Sequence, residues 1–188
     1  FTNIPGLMVV MPATPYDAKG LLVSSVRDGN PVISIEHRWL YGHMGHVPEE
    51  LYEVPIGKGI VRRKGTDVTI AALSLMVQES VKAAEILSKE GIECEVIDLR
   101  TVKPLDMEII IESVEKTGRL IVADTGWKDG GPGAEIIARV MEEAFGALKA
   151  APARINLPEA PTPASPVLEK AYYPTVDGIV SAVKKIFN

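Results

Sequence analysis

The chain has 188 residues, of which 46% are hydrophobic and 24% are charged, and its net charge is −5. This length allows one domain, or one domain with part of another, and the composition is that of an ordinary globular protein. The negative charge argues against nucleic-acid binding, which needs a basic surface for the phosphates, and no apolar run reaches the roughly 18 residues of a membrane span.

The first part of the sequence predicts a strand, a helix and a second strand. Residues 7–11 form a short apolar run, and Thr14 followed by Pro15 predicts a helix start, because threonine is a favourable N-cap and proline suits the first helical position. Apolar residues recur at helical spacing until Asp28-Gly29-Asn30-Pro31, and residues 32–36 form the next strand. This order is typical of a right-handed parallel crossover.

A stretch rich in glycine and proline follows, and the rest of the chain alternates between strands and helices. We place a linker with one short strand at residues 46–65, between a first part at 1–45 and a domain at 66–188. The predicted strands are 68–73, 92–99, 120–123 and 153–157, and the predicted helices are 77–89, 106–116, 134–148 and about 175–187. A proline-rich connection covers residues 158–166. The pattern indicates an α/β fold with three layers and a mostly parallel sheet.

Several short motifs point only weakly to chemistry. Residues 130–133 (GGPG) open a helix after a strand, but the third glycine of a dinucleotide-binding pattern is absent, so a tight turn is the better interpretation. His37, His43 and His46 lie within ten residues, and we interpret them as part of a solvated or subunit-facing linker rather than a metal site. Trp127 follows a predicted strand and either contacts a ligand or partner or fills a domain interface.

No nucleophile is predicted from the sequence. Cys94, the single cysteine, has Glu93 and Glu95 beside it, and neighbouring carboxylates raise the pKa of a thiol rather than lower it. A lone cysteine also forms no disulfide within the chain, which suits a reducing compartment. Ser74 shows no sign of the strand-to-helix elbow that exposes a catalytic serine.

The segment around residues 25–30 has two interpretations. A helix end leaves carbonyls without partners, so the carbonyls of Ser25, Val26 and Asp28, together with the side-chain oxygen of Asn30, could converge on a monovalent cation. The simpler interpretation is an Asx turn with water on those carbonyls, and from local sequence alone we prefer it.

Several colinear segments of the chain together match a known pattern. They are residues 12–22 (PATPYDAKGLL), 27–32, 36–42, 65–70 (GTDVTI), 95–101 (EVIDLRT), 104–106, 112–119, 130–136 and 165–174. These segments resemble the beta subunit of the decarboxylating component of pyruvate and branched-chain 2-oxo acid dehydrogenases. The resemblance runs from Ile4 to the end of the chain.

This resemblance implies a two-part architecture. The first part would be a strand-helix-strand remnant of a pyrimidine-binding domain, and the second would be the transketolase C-terminal domain. The family's residues that touch thiamine diphosphate would precede Ile4, so we assign no catalytic or cofactor-binding residue, and we expect the chain alone to be inactive. We also expect the edge of the first strand to be exposed, or covered by a second copy of the chain.

The resemblance also implies sites and partners. It favours the cation interpretation over the plain Asx turn. The implied site binds potassium through Ser25, Val26, Asp28 and Asn30, with a further ligand from outside the chain. It implies docking of the subunit-binding domain of the acyltransferase core at Phe187 and Asn188. The other implied partners are an alpha subunit and a second beta subunit in a heterotetramer, located in the cytoplasm or, in a eukaryote, in the mitochondrial matrix.

Other functions stay open from the sequence. An acetoin dehydrogenase or a split transketolase would share most of these segments, although residues 27–41 favour the 2-oxo acid and acetoin enzymes. A standalone, non-catalytic interaction domain is the competing class. Differences from the family near His43–His46 and Thr125–Asp129 leave the substrate and the docking partner undetermined.

Overall fold

The chain builds two β-sheets, and a computed structural model describes residues 1–187. The strands are β1 (Met8–Val10), β2 (Val32–Ser34), β3 (Ile60–Arg63), β4 (Val68–Ala72), β5 (Cys94–Asp98), β6 (Thr101–Lys103), β7 (Leu120–Trp127) and β8 (Ala153–Leu157). The α-helices are α1 (Pro15–Asp28), α2 (Leu75–Ser88), α3 (Met107–Thr117), α4 (Pro132–Glu143), α5 (Pro166–Tyr172) and α6 (Val176–Phe187), and 3₁₀ helices lie at Arg38–Gly42 and Phe145–Ala147.

The larger sheet has the order β3-β5-β4-β7-β8, in which β4, β5, β7 and β8 are parallel and β3 is an antiparallel edge. Alternate residues of its central strand face opposite sides. Val68 and Ile70 share a core with α2 and α6, whereas Ala71 and Leu73 share the other core with α3 and α4. The predicted three-layer, mostly parallel α/β fold is therefore confirmed.

The helix start predicted from local sequence is also confirmed. Thr14 is the N-cap of α1, and its side-chain oxygen accepts a hydrogen bond from the amide of Asp17 at 3.1 Å, with Pro15 at the first helical position. Gly29 ends the helix in the left-handed region with φ 82°. These features satisfy backbone groups that the helix itself leaves without partners.

Strand β7 and helices α4 and α5 differ from the prediction. Strand β7 continues to Trp127 rather than ending at residue 123, because it pairs with Leu157 of β8 beyond a register shift. Helix α4 begins at Pro132 and ends at Glu143, so the predicted helix at 134–148 is shifted and too long. Helix α5 was not predicted, although Ser165 before Pro166 is a recognisable helix start within a proline-rich segment.

The smaller sheet has the order β2-β1-β6 and corrects one expectation. Strand β1 pairs in parallel with β2 and, on its other side, antiparallel with β6, with Val9 opposite Lys103. The expected free edge of the first strand is therefore wrong, because a strand from the second part of the chain covers it. Strand β2 is the outer strand on the other side. Within residues 1–187 no helix combines the length and the apolar character that crossing a membrane requires.

Gly65 offers a test of how closely the linker packs on the larger sheet. A Cβ added at Gly65 would lie 2.2 Å from the carbonyl carbon of Cys94, a backbone atom that cannot move aside cheaply. We expect Gly65→Ala to lower the free energy of unfolding by about 2 kcal/mol, measured by urea denaturation. Gly146→Ala is the control, because a Cβ there meets nothing within 4 Å. Equal effects of the two substitutions would contradict the close approach.

Candidate functional site

The carboxyl ends of the parallel strands, where open α/β sheets usually bind ligands, are covered by the first part of the chain. The amide of Met11 donates to the carbonyl of Arg100 at 2.7 Å, directly after β5. The hydroxyl of Ser74, directly after β4, donates to the carbonyl of Pro12 at 3.3 Å. The segment between β1 and α1 therefore occupies the crevice that a ligand would use in a solitary domain of this kind.

Two residues at this edge adopt backbone conformations that side chains rarely take. Ser74 has φ 50° and Arg100 has φ 59°. Such conformations cost roughly 1–3 kcal/mol each and persist where the surrounding structure holds them. The prediction that Ser74 lacks a strand-to-helix turn is wrong, because Ser74 lies between β4 and α2. Its side chain is fully buried and bonded to Pro12, so it is not an accessible nucleophile.

A buried ionic cluster fastens the covering segment to the sheet. Asp17 of α1 and Asp98 of β5 have no exposed surface, and both contact Arg62 of β3. The Nη2 atom of Arg62 lies 2.8 Å from Oδ2 of Asp98, and its Nε lies 3.1 Å from the same oxygen. Nη2 of Arg100 lies 2.7 Å from Oδ1 of Asp17 as an ion pair. The cluster joins the first part of the chain, the linker and the second part.

The electrostatics of the cluster depend on Arg62. Burial raises the pKa of the Asp98 carboxyl, and the charge and hydrogen bonds of Arg62 act in the opposite direction. A buried carboxylate without a cation is strongly unfavourable, so Arg62 stabilises the charged form of Asp98. Sequence reasoning missed this cluster, because Asp17, Arg62 and the Asp98–Arg100 segment are far apart in the chain and share no local pattern.

Asp124 is a second buried acid at the same edge of the sheet. It is 3% exposed, and its Oδ2 has no hydrogen-bond partner within residues 1–187. Burial raises the pKa of Asp124, while the amides of Gly126 and Thr125 act to lower it. The residue lines a cleft of about 280 Å³ between the smaller sheet and the start of α4. Its neighbour Trp127 is 54% exposed and donates to the hydroxyl of Tyr172 at 3.2 Å, so its indole packs on α5.

The four residues of the predicted cation site lie together at the end of α1. Oδ1 of Asp28 accepts from the backbone amide of Asn30 at 3.2 Å and from its Nδ2 at 2.6 Å, which is an Asx turn. These bonds use the amide nitrogen of Asn30 and leave its side-chain oxygen available. The carbonyls of Ser25 and Val26 belong to the last helical turn, where no intrahelical partner follows. The cation site at these four residues stays a prediction.

The predicted docking residues lie at the end of α6. Phe187 is half-buried, and its ring centroid lies 4.8 Å from Cζ of Arg119. The guanidinium of Arg119 also donates to the carbonyls of Ile186 and Phe187, at 3.1 and 3.3 Å. Arg119 therefore caps the helix and covers one face of the ring. Asn188 lies outside the described residues.

The residues of the weaker sequence motifs have structural roles. His37 packs edge-on against Trp39 and Tyr173, and burial lowers its pKa. No cluster of three or more histidine, cysteine or acidic side chains that could hold a metal ion occurs in the described part of the chain. Cys94 is buried in the sheet, and burial raises the pKa of its thiol to about 12. Gly130 and Gly131 form the turn into α4, as predicted, and Pro132 and Gly133 are the first two residues of the helix.

Comparison with known proteins decides the family. Residues 57–179 match the family described as the transketolase C-terminal domain. The chain belongs to this family. It is 49% identical over 185 residues to the beta subunit of acetoin:2,6-dichlorophenolindophenol oxidoreductase of Cupriavidus necator, covering 98% of the chain and 55% of the relative. It is 46% identical over 186 residues to the pyruvate dehydrogenase E1 component subunit beta of Rickettsia bellii, covering 99% of the chain and 57% of the relative.

A solved structure shows the same fold. A split gene transketolase, described as an inactive beta4 tetramer, superposes with a TM-score of 0.78 at 26% identity, covering 99% of this chain and 58% of that one. The chain therefore spans little more than half the length of the proteins it matches. The resemblance to beta subunits that the sequence suggested is confirmed, and the match includes the strand-helix-strand that precedes the transketolase C-terminal domain.

Arg62 provides a test of the ionic cluster. Arg62→Met removes the cation that Asp17 and Asp98 share, and we expect a loss of about 3 kcal/mol in the free energy of unfolding near neutral pH. A carboxyl whose folded-state pKa is raised stabilises the fold at low pH and loses that contribution as the pH rises through the raised value. Because the substitution raises the pKa of Asp98 further, the loss should shrink between about pH 7.5 and about pH 5.

Urea unfolding at the two pH values measures this effect. Arg139→Met is the control, because Arg139 forms only an exposed pair with Glu143 at 3.3 Å, and such pairs contribute at most about 1 kcal/mol. The double variant Arg62→Met with Asp98→Asn should regain part of the loss at neutral pH. A loss that is equal at both pH values would show that the buried carboxylates are not its cause.

Proposed function

We propose that the chain is the carboxyl-terminal part of the beta subunit of a thiamine-diphosphate-dependent 2-oxo acid dehydrogenase. The role of the chain is inferred from one observation, namely that the carboxyl edge of the larger sheet is closed. The usual ligand crevice is occupied by the chain's own residues 11–13 and fastened by the cluster around Arg62. The chain's contribution is therefore assembly and support of the catalytic site, rather than the chemistry itself.

The similarity supports this class of enzyme over its competitors. Identities of 49% and 46% to the acetoin and pyruvate beta subunits extend over almost the whole chain, whereas identity to the split transketolase is 26%. The two related activities differ in substrate, which is acetoin in one named relative and pyruvate in the other. We favour a 2-oxo acid as the substrate and keep acetoin as the alternative.

The proposed domain organisation is the one that the sequence indicates. Residues 1–45 form the end of a pyrimidine-binding domain, residues 46–65 form a linker, and residues 66–188 form the transketolase C-terminal domain. The family match begins at residue 57, within the linker. Because β6 of the second part pairs with β1 of the first, the two parts would together support the catalytic site as one structural unit.

The cofactor would be held by other parts of the enzyme. When bound, thiamine diphosphate supplies the carbanion chemistry of 2-oxo acid decarboxylation. The residues described here would maintain the position of the pyrimidine-binding domain, through Asp17 on α1 and Arg62 in the linker. The proposed partners are an alpha subunit, a second beta subunit and the subunit-binding domain of an acyltransferase core, in the cytoplasm or the mitochondrial matrix. Phe187 stays the proposed docking residue, and its ring is partly covered by Arg119.

Activity assays test the proposed function. We expect the isolated chain with thiamine diphosphate to release carbon dioxide from pyruvate and branched-chain 2-oxo acids only at the background rate, because its residues support the site but do not perform the reaction. The complete subunit together with its alpha subunit should turn over one of these acids. Reduction of 2,6-dichlorophenolindophenol with acetoin as substrate separates the alternative activity.

The same assays can refute the proposal. Turnover by the isolated chain would show that the reaction needs no residues from outside it. An assembled protein inactive on every 2-oxo acid and on acetoin would favour a non-catalytic interaction domain.

A potassium titration tests the loop at the end of α1. We expect potassium chloride to raise the melting temperature saturably, and more than sodium chloride at the same ionic strength, because the site consists of carbonyl and amide oxygens that suit a large monovalent ion. Asn30→Ala should abolish the difference by removing the side-chain oxygen, whereas Asn156→Ala, in strand β8 of the larger sheet, should not. Identical effects of the two salts on the unsubstituted protein would rule out selective potassium binding by this chain.

A further inference from the structure

The linker runs along α1 and touches it at successive turns. The amide of Val54 donates to the carbonyl of Gly20 at 3.2 Å, and the hydroxyl of Ser24 donates to the carbonyl of Val54 at 2.7 Å. One turn earlier, Tyr52 stacks on Tyr16 with ring centroids 4.4 Å apart. The contacting residues of the helix are spaced three or four apart, so they form one stripe on its surface. The linker is therefore fastened to α1 along its length.

The start of this segment forms a cage of carbonyl oxygens around a single charge. Nζ of Lys19 donates to the carbonyl oxygens of Pro48, of Glu49 at 3.1 Å and of Glu50 at 2.9 Å. The ring centroid of Tyr52 lies 5.1 Å from the same nitrogen. A lysine ammonium has three N–H donors, and here all three have a backbone acceptor, with an aromatic face as a fourth neighbour.

This arrangement requires a cation. In an extended chain successive carbonyls point to opposite sides, whereas bends at Glu49 and Glu50 turn three of them towards one point. Three oxygens that carry partial negative charge repel one another unless a positive charge lies between them. Proteins use convergent backbone carbonyls in the same way to hold monovalent ions in selectivity filters.

We propose that the carbonyls of Pro48, Glu49 and Glu50, with the ring of Tyr52, form a binding site for a small primary ammonium ion. Lys19 is the tethered occupant of this site. The ammonium group is a positioning element that holds the linker against α1, separate from the potassium loop at the end of the same helix. When Lys19 is shortened, free methylammonium takes the vacated position. This proposal does not depend on the activity proposed above.

Hydrogen exchange of the complete chain, read by mass spectrometry on peptides covering residues 46–54, tests the proposal. The bonded amide of Val54 reports whether the linker is docked on α1. We expect Lys19→Ala to accelerate exchange in this segment by at least about tenfold, because three hydrogen bonds to a charged group are lost. Lys82→Ala is the control, since Lys82 forms only an exposed pair with Glu79 at 2.8 Å, and it should leave the segment unchanged.

Addition of an ammonium ion distinguishes a site from a simple loss of packing. Methylammonium should restore slow exchange in Lys19→Ala saturably, with no effect on the unsubstituted protein. Tetramethylammonium has no N–H donor and should not restore it at the same ionic strength. Equal protection by the two ions, or protection by neither, would overturn the proposal.

A second variant covers the case in which Lys19→Ala does not fold. Lys19→Met keeps most of the apolar stem and removes the charge. It should show the same faster exchange in residues 46–54. Exchange as slow as in the unsubstituted protein would show that the stem holds the linker, not the ammonium group, and would refute the cation site.

Discussion

The structure depends on one shared cation, the guanidinium of Arg62, placed between two buried carboxylates. Asp17 begins the helix of the first part of the chain, and Asp98 ends a strand in the centre of the second. Neither acid has any exposed surface, so the Asp98 carboxylate would be strongly unfavourable without Arg62, whereas Asp17 also pairs with Arg100 at 2.7 Å. The strand that carries Arg62 belongs to the linker, and therefore all three segments of the chain meet at one ionic contact.

This contact explains why the usual binding edge of the parallel sheet is closed. The segment between β1 and α1 lies over the carboxyl ends of β4 and β5, where Ser74 and Arg100 adopt unusual backbone conformations. These conformations let both residues bond to the covering segment. A transketolase C-terminal domain built in this way presents a fixed surface to the domain that precedes it, which suits a supporting subunit.

Helix α1 connects the proposed functions of the first part of the chain. Its N-terminal half supplies Asp17 to the ionic cluster and Lys19 to the carbonyl cage, and its C-terminal end forms the loop with Asp28 and Asn30. A movement of this helix would therefore change its contacts with the sheet, with the linker and within the loop at the same time. The antiparallel pairing of β6 with β1 limits such movement, because it joins the second part of the chain to the first through backbone hydrogen bonds.

The sequence by itself determined the elements whose signals are local. The start of α1 at Thr14 and Pro15, the buried strand β4 and the oxygen-rich turn at Asp28 and Asn30 follow from neighbours within a few residues, through capping, periodicity and turn chemistry. Only the tertiary structure decided that β6 completes the first sheet, that Arg62 joins Asp17 to Asp98, and that Lys19 lies in a carbonyl cage. Each of these contacts joins residues separated by roughly thirty or more positions, and their meeting depends on how the elements stack rather than on any repeating pattern.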